Sequence, residues 1–403
     1  MRSSLRLIGW MIAGEILSMV GASAVAATLP ALIAEWHLSA VQAGWLSGSY
    51  FFGYALAVPL LVSRTDRMDA RWIFAGGCVV GGLADAGVAL ASSFAAATLA
   101  WAVAGVAMAA IYMPGLRVIT DRCLPDVRLR AVPYYTASFG LGISTSFLAA
   151  GFALAAAGWR AAFAAGCLGC AAALGCLWMA TAGARAPRSA PAGSGGFDLR
   201  GVLRNRRALR YVIAYGGHCW ELFAFRSWLV ALLLFWWQRA GHGAPDGTLT
   251  VWSSVVAFAG VVASVLGGEG ALRFGRPQLI AVAAAAAVVI AVSIAVAGIR
   301  DFAVGAMALV VYSLAILGDS GALTAGVVDV ASRELQGATL ALHSLVGFVG
   351  GALGPIAVGI AIAWWGGVAA PAAWAAALCV MASGSALAFV AVAGLVRAQV
   401  RRT

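Results

Sequence analysis

The chain has 403 residues, of which 63% are hydrophobic and 10% are charged, and its formal net charge is +11. Ordinary soluble domains carry about 25% charged residues, so this composition excludes a soluble globular protein and predicts one that has lipid as its solvent. All 26 basic residues are arginines spread over short connections. This dispersion argues against a nucleic-acid-binding surface and favours a signal of membrane topology.

Apolar runs long enough to cross a bilayer follow each other along the whole chain. One crossing takes roughly 20 apolar residues as a helix, and helices are required because lipid offers no partners to free backbone N–H and C=O groups. The sequence therefore predicts an all-α membrane protein with twelve transmembrane helices. The predicted spans are 7–34, 40–62, 72–92, 95–117, 131–157, 161–182, 209–238, 248–271, 278–299, 302–331, 335–365 and 371–396.

A polar stretch rich in Ala, Pro, Gly, Ser and Arg separates the first six spans from the second six. We expect an N-terminal six-helix bundle at 1–182, a cytoplasmic linker at 183–207 and a C-terminal six-helix bundle at 208–403. Repeated halves of this kind are typical of transporters that bind their substrate near the bilayer midplane.

The arginines predict the orientation of the chain. Most of them fall on one set of alternate connections; Arg160, Arg239 and Arg300 lie on the other set, and Arg226 lies within a span. Cytoplasmic loops carry the excess of positive charge. We therefore expect a multi-pass protein of a bacterial-type inner (plasma) membrane, with both termini in the cytoplasm.

The connections after the second span of each half carry similar charged motifs. The first reads VSRTDRMDAR (62–71), and its charged positions are Asp66, Arg67 and Arg71. The second reads GEGALRFGRP (268–277). The residues of the second connection that match the first pattern are Gly268, Arg273, Gly275 and Arg276.

These motifs resemble the loop signature of the major facilitator superfamily of secondary transporters. Val62 and Asp69 stand where that signature has glycine, and Leu272 stands at the acidic position of the second half. The turn at 158–160 and the glycine-rich run at 347–359 are also similar to that family. The resemblance covers the whole chain. It implies two pseudo-symmetric six-helix bundles, and it implies that the charged loop residues form ion pairs that break and re-form as a gate moves.

Ionisable residues inside spans cost at least about 2.5–3.5 kcal/mol near the bilayer centre, so each one is a functional candidate. Glu221 lies near the middle of span 7, and His218 lies one turn away on nearly the same face. Burial disfavours the charged form of a carboxyl group, and histidine exchanges its proton near neutral pH. We therefore predict proton coupling through Glu221, or through Glu15 in span 1.

The family resemblance implies that spans 1, 4, 7 and 10 line the transport cavity. Glu15 in span 1 and Asp319 in span 10 are then cavity residues. Ser320 and Thr324 extend the polar face beside Asp319, and Tyr112 in span 4 is a residue that can shape the cavity.

Other charges inside the spans have more than one interpretation. Arg226 either binds an anionic group of the substrate or extends towards the membrane surface. His343 in span 11 is expected to hydrogen-bond between helices and is a weaker cavity candidate. Asp85 in span 3 is expected to make a structural hydrogen bond, and Asp329 is expected to pair with Arg333 at i+4.

The sequence predicts a proton-coupled secondary transporter of a small molecule or an ion, with protons and membrane lipid as its other partners. The alternative is a multidrug or metabolite efflux antiporter, although span 5 lacks the Gly-Pro of the antiporter motif in the resembled family. A metal-ion carrier that uses His218, Cys219 and Glu221 is a weaker alternative, because their spacing is not specific. No P-loop, GxSxG or HExxH motif occurs, so neither an enzyme activity nor a cofactor nor a resident metal is expected.

Overall fold

The computed structural model describes residues 2–65, 67–123, 125–182, 199–332 and 335–400. These residues form α-helices and no strand. The helices of the first half are α1 (Arg2–Ser18), α2 (Ala24–Trp36), α3 (Ala40–Arg64), α4 (Ala70–Ala89), α5 (Phe94–Arg122), α6 (Pro125–Ala157) and α7 (Trp159–Thr181). The later helices are α8 (Leu199–Arg204), α9 (Arg206–Arg239), α10 (Thr248–Phe274), α11 (Arg276–Val296), α12 (Phe302–Leu317), α13 (Ser320–Val330), α14 (Gln336–Trp364) and α15 (Pro371–Val400).

The predicted spans correspond to these helices. Within the described ranges, 10 stretches are long and apolar enough to cross a membrane, and α12 with α13 counts as one of them. The other two predicted spans are α3, with 25 residues, and the pair α1 and α2, which together extend from Arg2 to Trp36. The predicted all-α membrane fold is therefore confirmed.

Two predicted spans are broken in the middle. Span 1 has a non-helical segment at 19–23 between α1 and α2, and span 10 has one at Gly318 and Asp319 between α12 and α13. The first break is supported by Ser146 of α6, whose hydroxyl accepts a hydrogen bond from the backbone of Ser23 and donates one to the carbonyl of Val20. Such support is needed because irregular backbone at membrane depth is tolerated only where it is buried in protein or lines a cavity.

The chain divides into two compact units. Unit 1 comprises Met1–Trp36, Ser49–Ser194 and Asp246–Ser254, and unit 2 comprises His37–Gly48, Gly195–Pro245 and Val255–Thr403. Each unit has its own packed interior. Large buried side chains of unit 1 include Met11, Phe74 and Tyr135; those of unit 2 include Tyr211, Ile280 and Leu323.

Small residues let the helices of each unit approach closely, which is the main source of packing energy in lipid. In unit 2, α14 carries glycines at GxxxG spacing. A Cβ atom at Gly350 would collide with the carbonyl of Gly216, and one at Gly354 would collide with the carbonyl of Trp220. The backbones of α9 and α14 are therefore in contact along this face, and α9 is held among its neighbours.

Candidate functional site

Glu221 lies in the middle of α9 and is completely buried. Its Oε1 atom accepts a hydrogen bond from the Tyr312 hydroxyl on α12, at 2.5 Å. Its Oε2 atom accepts a hydrogen bond from the Ser385 hydroxyl on α15. Both carboxylate oxygens therefore have donors, and one side chain joins three helices.

His218 lies one turn before Glu221 on α9 and pairs with Asp319. The His218 Nδ1 atom lies 2.9 Å from Asp319 Oδ1, and the two side chains are 3% and 4% exposed. Asp319 sits at the break between α12 and α13, where its side chain makes no capping bond to the helix that follows. The carboxylate at the break therefore lies against α9, in contact with the imidazole ring of His218.

The ring of His218 belongs to a stack of three rings. The Tyr215 ring lies between His343, with centroids 3.9 Å apart, and His218, with centroids 5.9 Å apart, and all are nearly parallel. His343 is buried, yet neither of its ring nitrogens has a hydrogen-bond partner among the described residues. The expected hydrogen bond between helices is therefore absent from this part of the chain, because α14 brings the ring flat against Tyr215. Both nitrogens are therefore buried without a hydrogen-bond partner in the described ranges.

Arg226 lies on α9 as well, and its side chain is half-buried. It forms no ion pair with any residue that the structure describes. It follows Tyr215 by eleven residues, which places the two side chains about 20° apart around the helix, on one face. The arrangement brings an uncompensated positive charge to the helix face that carries the stacked rings.

Unit 1 holds a second carboxylate of the predicted set. Glu15 on α1 is completely buried, and its Oε2 atom accepts a hydrogen bond from the Ser138 hydroxyl on α6. Its Oε1 atom has no partner in the described ranges. Tyr112 on α5 stacks at 6.2 Å on Tyr135, whose hydroxyl donates to the Tyr112 carbonyl.

Two predicted cavity residues stay outside these networks. Ser320 is half-buried and Thr324 is exposed on α13. Neither makes a hydrogen bond to a described residue. The side chains of Ser320 and Thr324 therefore follow Asp319 closely in the chain, but no hydrogen bond among the described residues connects them to Glu221.

The loop motif of unit 1 is built around Asp69. Asp69 caps α4 by accepting from the backbone of Arg71, and its carboxylate pairs with Arg122 at 2.5 Å and with Arg71 at 3.3 Å. Burial raises the pKa of Asp69, but the hydrogen bond and charge of Arg122, helped by Arg71, lower it more, so the pKa lies below its ordinary value. Arg67 is exposed, and Asp66 lies outside the described residues.

The corresponding motif of unit 2 has its charges reversed. Arg276 at the start of α11 forms an ion pair with Asp329 near the end of α13. Gly275 precedes α11 with a φ of +89°, which suits glycine, and Arg273 is exposed at the end of α10. Gly268 is a half-buried residue of α10. The partner expected for Asp329, Arg333, lies outside the described residues.

Sequence reasoning missed four partners in these sites. Asp69 appeared only as a departure from the loop signature, and Arg122 only as a topology signal. Ser138 and Ser385 are single small hydroxyl residues in apolar helices, a pattern that is common in any membrane helix. Only the packing of helices identifies them.

No group of three or more His, Cys, Asp or Glu side chains that could hold a metal ion occurs within the described ranges. His218 and Asp319 pair with each other, and Cys219 is buried on the same helix.

The sequence profile of the Major Facilitator Superfamily matches residues 11–355. No curated protein matches the chain.

Several solved structures have a similar fold. A bacterial homologue of the human lysosomal transporter Spinster, inward-facing and unoccupied, has a TM-score of 0.79 and 17% identity, covering 97% of this chain and 96% of that chain. The nucleoside transporter NupG has a TM-score of 0.73 and 15% identity, covering 98% and 99%. A D-xylose-proton symporter has a TM-score of 0.74 and 14% identity, covering 96% and 97%. At these identities the likeness establishes the fold alone.

Proposed function

The chain belongs to the Major Facilitator Superfamily, and from this premise we propose that it is a secondary active transporter that moves a small solute by alternating access, coupled to protons. It acts as a carrier rather than as an enzyme. The observation that carries the proposal is the Glu221 network, in which a buried carboxylate accepts hydrogen bonds from two other helices.

Glu221 is the proposed proton carrier. When it is ionised, the hydroxyls of Tyr312 and Ser385 both donate to it and stabilise its charge. A protonated carboxyl has a hydrogen of its own to donate, so at least one of these hydroxyls must turn and accept. Proton binding therefore changes the contacts that join α9 to α12 and α15, and this is how one proton can bias a helix rearrangement.

The His218–Asp319 pair supports a proton relay beside Glu221. It lies one turn from Glu221 and bridges α9 to the break between α12 and α13. A proton that leaves Glu221 has a buried base nearby, and the break allows Asp319 to move without disturbing a continuous helix. Glu15 of unit 1 is the second candidate for proton binding, because only one of its oxygens has a partner in the described ranges.

The charge balance around α9 favours a solute with an anionic group. Glu221 is hydrogen-bonded and Asp319 is paired with His218, so neither needs a cationic ligand. Arg226 has no ion-pair partner among the described residues, and a guanidinium in a membrane span is costly unless something compensates it. Guanidinium groups bind carboxylate or phosphate groups with two parallel hydrogen bonds. We infer that the nitrogens of His343, which are buried without a partner in the described chain, become additional polar contacts for such a solute when the helices rearrange.

The arginine distribution supports an inner-membrane protein with both termini and the 183–207 linker in the cytoplasm, between six-helix bundles at 1–182 and 208–403. Cysteines placed singly at 190–196, in a chain whose seven native cysteines are replaced, should be protected from impermeant maleimides in intact cells. Labelling from outside would overturn this topology.

The substrate test is a thermal-shift screen of the purified protein in detergent. The panel contains organic and inorganic anions, nucleosides, sugars, cationic drugs and divalent metals at two pH values. A solute at a hundred times its Kd should add about 2.7 kcal/mol to the unfolding free energy. Stabilisation by anions, and its loss in Arg226→Gln, is the expected result; a response confined to cations or metals would contradict the assigned substrate class.

Proton coupling is tested with that solute in proteoliposomes. We expect solute addition to drive proton flux in the wild type, and we expect Glu221→Gln to reduce that flux to the level of protein-free liposomes while solute binding remains. Glu269→Gln, which changes an exposed carboxylate at the end of α10, is the matched control and should leave the flux unchanged. Normal flux in Glu221→Gln would refute the assignment. The direction of proton movement relative to the solute separates a symporter from the alternative, an efflux antiporter.

A further inference from the structure

Unit 1 contains a small cavity beside the break in span 1. Its volume is about 20 Å³, enough for one water molecule or one small ion. Three residues at the break line it, together with Tyr50 of α3 and Asp85 of α4. The remaining lining is Trp101 and small or apolar side chains of α5, with Gly81 of α4 and Cys170 of α7. The cavity belongs to none of the networks described above.

Asp85 faces this cavity without a partner. Asp85 is only 5% exposed, and it makes no hydrogen bond or ion pair with any residue that the structure describes. The carboxylate points at the break, because a Cβ atom on Gly21 would lie 2.5 Å from Asp85 Oδ2. The sequence-based expectation that Asp85 makes a structural hydrogen bond is therefore wrong for the described residues. An ionised carboxylate in this position is strongly destabilising unless something binds to it.

The break contributes neutral oxygen atoms to the same place. Ser18 and Ala22 line the cavity, and neither backbone carbonyl accepts a hydrogen bond from a described backbone N–H group. Among the described residues, the Ser18 carbonyl accepts a hydrogen bond only from the Cys170 thiol, at 3.9 Å. Ser18 is also the last residue of α1, and the partial negative charge of a helix C-terminus favours a cation.

We propose that this cavity binds a monovalent cation of about the size of sodium. The Asp85 carboxylate supplies the charge, and the carbonyl oxygens of Ser18 and Ala22 and the phenol oxygen of Tyr50 supply neutral ligands. Carboxylate and carbonyl oxygens are the ligands that hard cations prefer. One negative charge balances one positive charge, whereas a divalent ion would leave a net charge in a low-dielectric site.

A proton alone is a poorer occupant. It would neutralise Asp85 but leave the two carbonyls at the break without a donor or a cation, and buried carbonyl groups need one. The bound cation instead joins the end of α1 and the break to α3 and α4 at the point where span 1 is interrupted. This site goes beyond the proposed proton-coupled transport, because its residues belong to unit 1 and are separate from Glu221 and His218.

The test measures the thermal stability of the purified full chain at fixed pH and ionic strength, with choline chloride exchanged for sodium, lithium or potassium chloride. We expect sodium to raise the Tm saturably, by roughly 3 °C at a hundred times its Kd, and potassium to have little effect. Asp85→Asn should abolish the sodium shift and should be as stable as the wild type, or more stable, without sodium. Tyr50→Phe should weaken the sodium affinity without abolishing the shift.

Asp319→Asn is the matched control, because it also neutralises a buried carboxylate, and its sodium shift should persist. Tyr50 and Cys170 are the other titratable groups that line the cavity. Equal shifts from all three salts, or a sodium shift that persists in Asp85→Asn, would overturn the proposal. So would stabilisation of the wild type by acid alone that is lost in Asp85→Asn, since Asp85 would then bind only a proton. Because the readout is stability, failure of the transport assay in proteoliposomes leaves this result unaffected.

Discussion

In unit 2, both oxygens of Glu221 accept hydroxyl hydrogen bonds and Asp319 is paired with His218, whereas in unit 1 Glu15 has a partner on one oxygen and Asp85 has none in the described chain. All four carboxylate side chains are buried within the predicted membrane spans. A carboxylate with fixed donors can keep its charge without a ligand and can change partners when it takes up a proton. A carboxylate without donors needs a proton or a cation to be stable.

The largest expected effect is the difference between Glu221→Leu and Glu15→Leu. Leucine fills a similar volume, so cavity formation is small. Glu221→Leu leaves the hydroxyls of Tyr312 and Ser385 without an acceptor and should lower the unfolding free energy by about 3 kcal/mol.

Glu15→Leu should cost about 1 kcal/mol or less, because the Ser138 hydroxyl also lies 2.7 Å from the Tyr135 carbonyl and can donate its one hydrogen there when Glu15 is absent. Chemical denaturation in mixed micelles measures both values. Equal losses in the two variants would show that the hydrogen-bond count does not distinguish the two carboxylates.

The charged loop motifs provide a second contrast. Asp69→Asn should lower the unfolding free energy by about 2 kcal/mol, because the Arg122 side chain is only 3% exposed and loses its ionic partner. Asp329→Asn should cost about 0.5 kcal/mol or less, because the Asp329 side chain is 55% exposed.

The pH dependence of the unfolding free energy tests the ion pair between Asp69 and Arg122. The pKa of Asp69 is lowered in the folded state, so its contribution is fully present above its ordinary pKa of about 4 and is lost as the pH falls through the lower, folded-state value. The difference between wild type and Asp69→Asn should therefore be constant between about pH 8 and pH 5. A difference that shrinks within that window would contradict the Arg122 pairing.

Two glycines in and beside α7 should respond to alanine substitution with smaller changes in stability, and the two changes should have opposite signs. Gly158, which precedes α7, has φ +80° and ψ 178°, a region that is essentially restricted to glycine. Gly158→Ala should cost roughly 1–2 kcal/mol through backbone strain, since an added Cβ would touch nothing within 4 Å. Gly175→Ala, within the same helix and equally free of contacts, should be neutral or stabilising by up to about 1 kcal/mol. Differential scanning fluorimetry resolves the two signs; a neutral or stabilising Gly158→Ala would contradict backbone strain at that position.

The smallest stability effect is expected for His343→Phe. Phenylalanine keeps the stack on Tyr215, and the nitrogens that it removes have no partner in the described ranges. The unfolding free energy should change by less than about 0.5 kcal/mol, while the thermal shift caused by the wild-type solute should decrease. A large loss of stability would mean that the nitrogens are structural, and an unchanged solute response would remove His343 from the binding site.

Much of the fold followed from the sequence because its signals are local. The spans were predicted from apolar runs, and the structure confirms them with helices, except that spans 1 and 10 are broken at 19–23 and at Gly318 and Asp319. No proline or run of polar residues marks the break at 19–23. It is supported by Ser146, which lies more than a hundred residues away in the chain.

The candidate site was predicted only in part. The proximity of His218 to Glu221 follows from their spacing on one helix, and their buried character follows from the apolar residues around them. Two expectations were wrong for the described residues: His343 stacks on Tyr215 instead of hydrogen-bonding, and Asp85, which lines the small cavity, makes no hydrogen bond with any of them. Both errors concern contacts between helices.

The sequence by itself determined the lipid environment, the helical spans and the identity of the buried charges, because hydropathy and residue type are properties of the chain taken a few residues at a time. Only the tertiary structure decided which of these charges have partners. Ser385 lies 164 residues from Glu221 and Ser138 lies 123 residues from Glu15, and a serine in an apolar helix carries no mark of the carboxylate that it will meet. That pairing depends on how helices rotate and pack against each other, which is a property of the whole unit and not of any one segment.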